Sequence, residues 1–154
     1  MWLLALAARL AKQKESQSRT REDFETERDA LRAIRDEILE QSIYKRTAGE
    51  FYTQVWEQED GRFRYDPLKW ERCKGGGSAG AGCEISPEGL SRRSKVRVHS
   101  HPVPKPGEVV DDLLAPSDLD KEQASVLGPG AIIDSRGGGI QIFNENGRVG
   151  GPFR

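Results

Sequence analysis

The chain has 154 residues, with 24 Lys and Arg against 25 Asp and Glu, for a formal charge of −1. This length suits one domain of ordinary size with appendages, and the balanced charge, with no local basic patch, argues against a nucleic-acid partner. No apolar run reaches the length of about 18 residues that a membrane-spanning helix needs, so no membrane span is expected.

Residues 1–45 read as a helical N-terminal segment. The opening Met1-Trp2-Leu3-Leu4-Ala5-Leu6-Ala7-Ala8 has no basic residue ahead of it and stops at Arg9, which reads as a short terminal helix and not a signal peptide. Residues 12–19 are polar throughout and mark a break. A second helix is expected from Thr20 as N-cap, with Glu22 and Asp23 in its first turn. Apolar side chains follow at Phe24, Leu31, Ile34, Ile38 and Leu39, a spacing that buries one face. Packing on the following sheet is expected, with docking to a partner protein as the competing use.

From residue 46 to the end, a second unit, the pattern turns to period two. Phe51-Tyr52-Thr53-Gln54-Val55-Trp56 and Arg62-Phe63-Arg64-Tyr65 are β-prone runs joined by Glu57-Gln58-Glu59-Asp60-Gly61, the composition of a hairpin loop. Pro67 closes the second strand, and a glycine-rich loop follows. Gly75, Gly77 and Gly80 formally satisfy G-x-G-x-x-G, but no strand precedes and no apolar helix follows, so a flexible loop is expected and not a nucleotide site. The two cysteines, Cys73 and Cys83, flank this tract, and free thiols are expected in preference to a bridge.

Lys95-Val96-Arg97-Val98-His99 alternates as a strand, and a Pro-rich segment covers residues 102–116. Ser117-Asp118-Leu119-Asp120 then opens a helix with Ser117 as N-cap and Asp120 at the third helical position. Ala131-Ile132-Ile133-Asp134 and Gly139-Ile140-Gln141-Ile142-Phe143 form a further hairpin, and residues 144–148 a turn. The order of elements implies an α+β domain with a mainly antiparallel sheet flanked by helices.

The only histidines stand as His99-Ser100-His101. On a strand, residues i and i+2 share a face, so both imidazoles can reach one ion. A catalytic zinc needs a third protein ligand, commonly a carboxylate, and Asp120 at the helix start is the best-placed candidate, with Asp111, Asp112 and Asp118 competing. A pair of strand-end histidines without metal is the plain alternative, and a structural zinc would call for four protein ligands.

Val98-His99-Ser100-His101-Pro102 followed by Pro116-Ser117-Asp118-Leu119-Asp120 resembles the JAB/MPN superfamily of zinc metallopeptidases, with its early-strand Glu, then His-x-His-Pro, then Ser-x-x-Asp. The Asp60-Gly61-Arg62-Phe63-Arg64-Tyr65 hairpin is similar to that of bacterial secreted and polymorphic-toxin branches. The resemblance covers roughly residues 46–145 and implies a JAB/MPN-like fold, zinc held by His99, His101 and Asp120, and Ser117 stabilising the developing oxyanion. Fifteen residues separate His101 from Ser117, roughly twice the family's usual gap, which a surface insert accommodates. Where the family carries its Glu, three residues before a Gly, this chain has Arg46 before Gly49, and Glu50 follows that glycine. Positions 46 and 50 share a strand face, so Glu50 is the candidate general base, ahead of Glu57 and Glu59 in or beside the turn. The expected activity is zinc-dependent cleavage of a peptide or isopeptide bond in a protein or peptide substrate, with a non-catalytic interaction domain on the same fold as alternative. The resemblance further implies a secreted or delivered bacterial effector acting in a cytoplasm, with an immunity or delivery protein as partner.

Overall fold

The computed structural model describes residues 21–73, 89–109 and 112–154. The expected terminal helix, the polar break, Thr20, the Gly75–Gly80 tract, Cys83 and Asp111 lie outside the described residues. Within them the chain is α+β: helices α1 (Glu27–Leu39) and α2 (Ile43–Ala48) precede strands β1 (Gly49–Glu57), β2 (Phe63–Tyr65), β3 (Lys69–Arg72) and β4 (Val96–His101). Helix α3 (Asp118–Leu127) and strands β5 (Gly130–Asp134), β6 (Ile140–Asn144) and β7 (Gly147–Arg148) complete it. None of these helices is long and apolar enough to cross a membrane.

The seven strands form one mostly antiparallel sheet in the order β2-β1-β4-β5-β6-β7, with β3 also pairing β1. Both expected hairpins are present, with Val55 opposite Tyr65 in β1–β2 and Ile132 opposite Gln141 in β5–β6. The exception is β4–β5, which is parallel because the chain crosses over through α3 before returning beside β4. Strand β3 has no counterpart among the expected elements. It continues the path of β2 along β1 after a bulge, since Val55 and Tyr52 of β1 face Tyr65 and Lys69, leaving three residues opposite two. Pro67 sits in that bulge, where its missing N–H interrupts no ladder. Gly49 opens β1 where a Cβ would lie 2.3 Å from the Glu71 carbonyl oxygen, so only glycine admits β3 this closely.

The helix expected from Thr20 begins later. Its N-cap is Thr26, whose side chain accepts from the Asp29 N–H, and Asp23 breaks the preceding chain at φ +62°. Phe24 is not helical; it exchanges backbone hydrogen bonds with Phe63, and Arg21 O accepts from Tyr65 N–H. The outer edge of β2 thus captures residues that their composition would equally allow in a helix, and that edge is covered.

The cysteine expectation is corrected as well. Cys73, buried at the end of β3, is disulfide-bonded. With only two cysteines to read, composition carries little information about the redox state, and a bridge forms wherever the fold brings two Cα atoms within about 4.4–6.8 Å.

Helices cover both faces of the sheet. On one face, Ala30, Leu31, Ile34 and Ile38 of α1 pack against Phe51, Val55, Val96, Val98, Ala131, Ile133 and Ile140. Helix α1 therefore belongs to the same core as the sheet. On the other face, Ala124 of α3 packs with Ile132, Phe143 and Leu114. Alternation along β4 sends Val96 and Val98 into the first core and leaves Arg97, His99 and His101 on the second face.

Candidate metal centre

Strand β4 ends at His101, where Pro102 cannot continue the ladder. His99 is buried and His101 partly so, and their Nε2 atoms lie 3.2 Å apart. Asp120 reaches this point from the first turn of α3, with Oδ1 3.2 Å from His99 Nε2 and Oδ2 3.3 Å from His101 Nε2. A capping box aims the carboxylate: Ser117 N–H donates to Asp120 Oδ2 at 2.9 Å, and Asp120 N–H donates to Ser117 Oγ at 3.1 Å.

These three side chains form a group that can hold a metal ion. Tetrahedral zinc with bonds of about 2.0–2.1 Å has ligand–ligand edges of about 3.3–3.4 Å. The two Nε2 atoms lie 3.2 Å apart, close to one such edge, and Asp120 presents one oxygen to each imidazole, with one ligand atom from each residue within 4.8 Å of the others. Two imidazole nitrogens and one carboxylate are a donor set that suits a divalent metal ion.

Glu50 lies beside the group. Its neighbour Phe51 donates its backbone N–H to the fully buried Ser100 Oγ at 2.9 Å, so the serine between the histidines ties β1 to β4 from the opposite face. Glu50 is itself buried, opposite Glu71 of β3. Burial pushes its carboxyl up to about 8; the charges of Asp120 and Glu71 add to the rise, and that of His99 opposes it. For His99, burial acts to lower the pKa, but the charge and hydrogen bond of Asp120, with the charge of Glu50, raise it overall. For Asp120, burial acts upward, yet the charge of His99 and the hydrogen bonds of both histidines hold it well below the usual carboxylate range.

The other acidic candidates are elsewhere. Asp112 pairs with Arg148, and the fully exposed Asp118 side chain pairs with Lys121 at 3.3 Å. Glu57 lies at the far end of β1, 3.8 Å from Lys95, and Glu59 is exposed in the turn. Ser117 is exposed and acts in the structure as the cap that orients Asp120. Two supporting serines have no signal in the sequence: Ser100, described above, and Ser135, whose Oγ donates to the His101 carbonyl. Ser100 stands between the histidines in the sequence, but only strand register pairs it with Phe51 and brings Ser135 to His101, so no local pattern reveals either role.

A small cleft opens next to the group between α3 and the sheet, bordered by His99, Asp120, Tyr52, Leu90, Arg97 and Phe143. The Phe143 ring meets His99 edge-on at 6.0 Å between centroids. No family model, curated protein or solved structure matches the chain.

Proposed function

We propose that this protein is a zinc-dependent hydrolase of peptide or isopeptide bonds. The observation that carries the reading is the triangle of His99 Nε2, His101 Nε2 and the Asp120 carboxylate, with the buried Glu50 alongside. The resemblance to the JAB/MPN superfamily supports it through the same residues and extends to a JAB/MPN-like fold. His99, His101 and Asp120 hold the ion, whose charge, when bound, lowers the pKa of water and polarises a carbonyl. Glu50 takes a proton from the attacking water and returns it to the leaving amine, so the carbonyl carbon gains the hydroxyl oxygen and the C–N bond breaks. Ionised Glu50 is required for the first transfer, and positive charge between His99 and Asp120 favours that form. Ser117 Oγ, which already accepts from Asp120 N–H, retains its own hydrogen to donate to the carbonyl oxygen as charge develops there.

A delivered bacterial effector, acting in a cytoplasm and countered or carried by an immunity or delivery protein, is the setting the resemblance suggests. The competing reading is a non-catalytic JAB/MPN-like interaction domain, favoured by a Glu50 whose burial keeps it neutral at pH 7 when no cation is near. Elemental mass spectrometry of the purified protein, beside His101→Ala and Asp120→Ala, tests the site. About one zinc per chain, lost in both variants, is the expected result and justifies a peptidase screen. A protein that takes up no zinc after incubation would overturn the hydrolase reading and leave the interaction domain.

A further inference from the structure

The cleft beside the donor triangle has a cation in its wall. Arg97 is buried, 7% exposed, on the same face of β4 as His99 and two residues from it, a Cα separation of about 6.5–7 Å. Among the described residues its acceptors are all neutral: Nη1 donates to Ser91 O, Ser94 O and Ser94 Oγ, and Nη2 donates to Pro129 O. No carboxylate pairs with it among the described residues. A guanidinium has five N–H donors, so these bonds leave the Nε–H and one Nη2–H, and Nε is buried without a partner. A buried charge with only neutral oxygens around it is costly to maintain, and a carboxylate is the ligand that takes two adjacent guanidinium donors at once.

The guanidinium borders this cleft, at its Gly128 side. Gly128, at the turn from α3 into β5, borders the cleft, and a Cβ there would stand 3.0 Å from Arg97 Nη2. The absence of that side chain keeps the guanidinium approachable. Leu90, Leu127 and Phe143 supply apolar walls on which the stem of a side chain or a peptide backbone can lie.

We propose that Arg97 is the floor of a carboxylate-binding subsite, and that the chain prefers peptides carrying a carboxylate within about two residues of the bond presented to His99, His101 and Asp120. The carboxylate is an acidic side chain or the free end of a peptide; the chemistry recognised is the same. The word substrate rests on the hydrolase reading, but binding of the carboxylate does not.

The test uses the full chain, zinc-free and zinc-loaded, titrated calorimetrically with three alanine-based pentapeptides. One is blocked at both ends with a central Glu, one is identical with Gln, and one has a free C-terminal carboxylate and no acidic side chain. Wild type is expected to bind at least one carboxylate peptide about tenfold or more tighter than the Gln peptide, in both metal states. The preferred member identifies the source of the carboxylate. Arg97→Gln is expected to abolish the preference, with Arg97→Lys retaining part of it. Because Arg97 also ties down Ser91, Ser94 and Pro129, the Arg97 Nε–H resonance of wild type is followed in the same titrations. It should shift with the carboxylate peptide and stay still with the Gln peptide. Equal affinities for all three peptides, or a preference that survives in folded Arg97→Gln, overturns the subsite. A protein that takes up no zinc but retains the Arg97-dependent preference keeps the subsite and removes only the hydrolase reading.

Discussion

The two faces of the sheet are made by the same strands and have opposite character. Against α1, the faces of β1, β4, β5 and β6 present Phe51, Val55, Val96, Val98, Ala131, Ile133 and Ile140 to a fully apolar helix stripe. Against α3, the alternate positions present Glu50, Arg97, His99 and His101, with only a small apolar cluster of Ile132, Phe143, Ala124 and Leu114. Burial on the first face stabilises through area removed from water. On the second, buried charges cost free energy unless each finds a partner. The lesson is a division of labour within single strands: one side supplies stability, and the surplus allows the other side to hold buried polar and charged groups that folding does not need.

The sharpest way to break this comparison is at the donor triangle. His101→Ala should remove stoichiometric zinc while the α1 core stays folded, read by elemental analysis beside circular dichroism. Next in size, Glu50→Gln should lower hydrolysis by about 10²–10⁴-fold, the usual contribution of a general base, with zinc content unchanged. Undiminished turnover would transfer the base role to another group.

On the opposite face, Ile34→Ala removes a fully buried side chain and should cost about 2–5 kcal/mol in chemical denaturation. Its zinc affinity, measured under folding conditions, should match wild type; a large loss would mean that the two faces are not separable.

A smaller effect concerns pH. In the zinc-free protein Glu50 is raised from 4.5 to about 8, and His99 is raised above 6.5. Both contributions are full at acid pH and are lost as pH rises through the folded values. Asp120, lowered from 3.8, contributes in the opposite sense, and its share is lost only as pH falls below that value. Zinc-free stability should therefore decline from about pH 4.5 to about pH 8 through Glu50, with His99 adding to the decline above about pH 6.5, in thermal unfolding. Zinc, which displaces protons from its ligands, should stabilise more at about pH 8 than at about pH 5.5. Smallest, Ser117→Ala should cost about 1 kcal/mol through loss of the cap and weaken zinc binding, since Asp120 loses one of its restraints.

The elements whose signal is local are legible in the order of residues alone. Period-two alternation marks β1 and β4, the Ser-x-x-Asp cap marks the start of α3, and the i,i+2 spacing puts His99 and His101 on one face. The start of α1 is not legible in this way, because Phe24 fits a helix stripe and a strand edge equally well, and only β2 decides between them. The short polar strand β3, the bridge at Cys73 and the acceptors of Arg97 carry no periodic pattern at all.

Sequence by itself determined which side chains share a strand face and which residue caps a helix, because both follow from backbone geometry over a few residues. It could not determine that β5 returns parallel to β4, that Asp120 meets both Nε2 atoms, or that Glu50 is buried where His99 and Asp120 act on its charge. Those depend on which strand edges pair and in what register, and a shift of one residue would have turned every one of these groups to the other face.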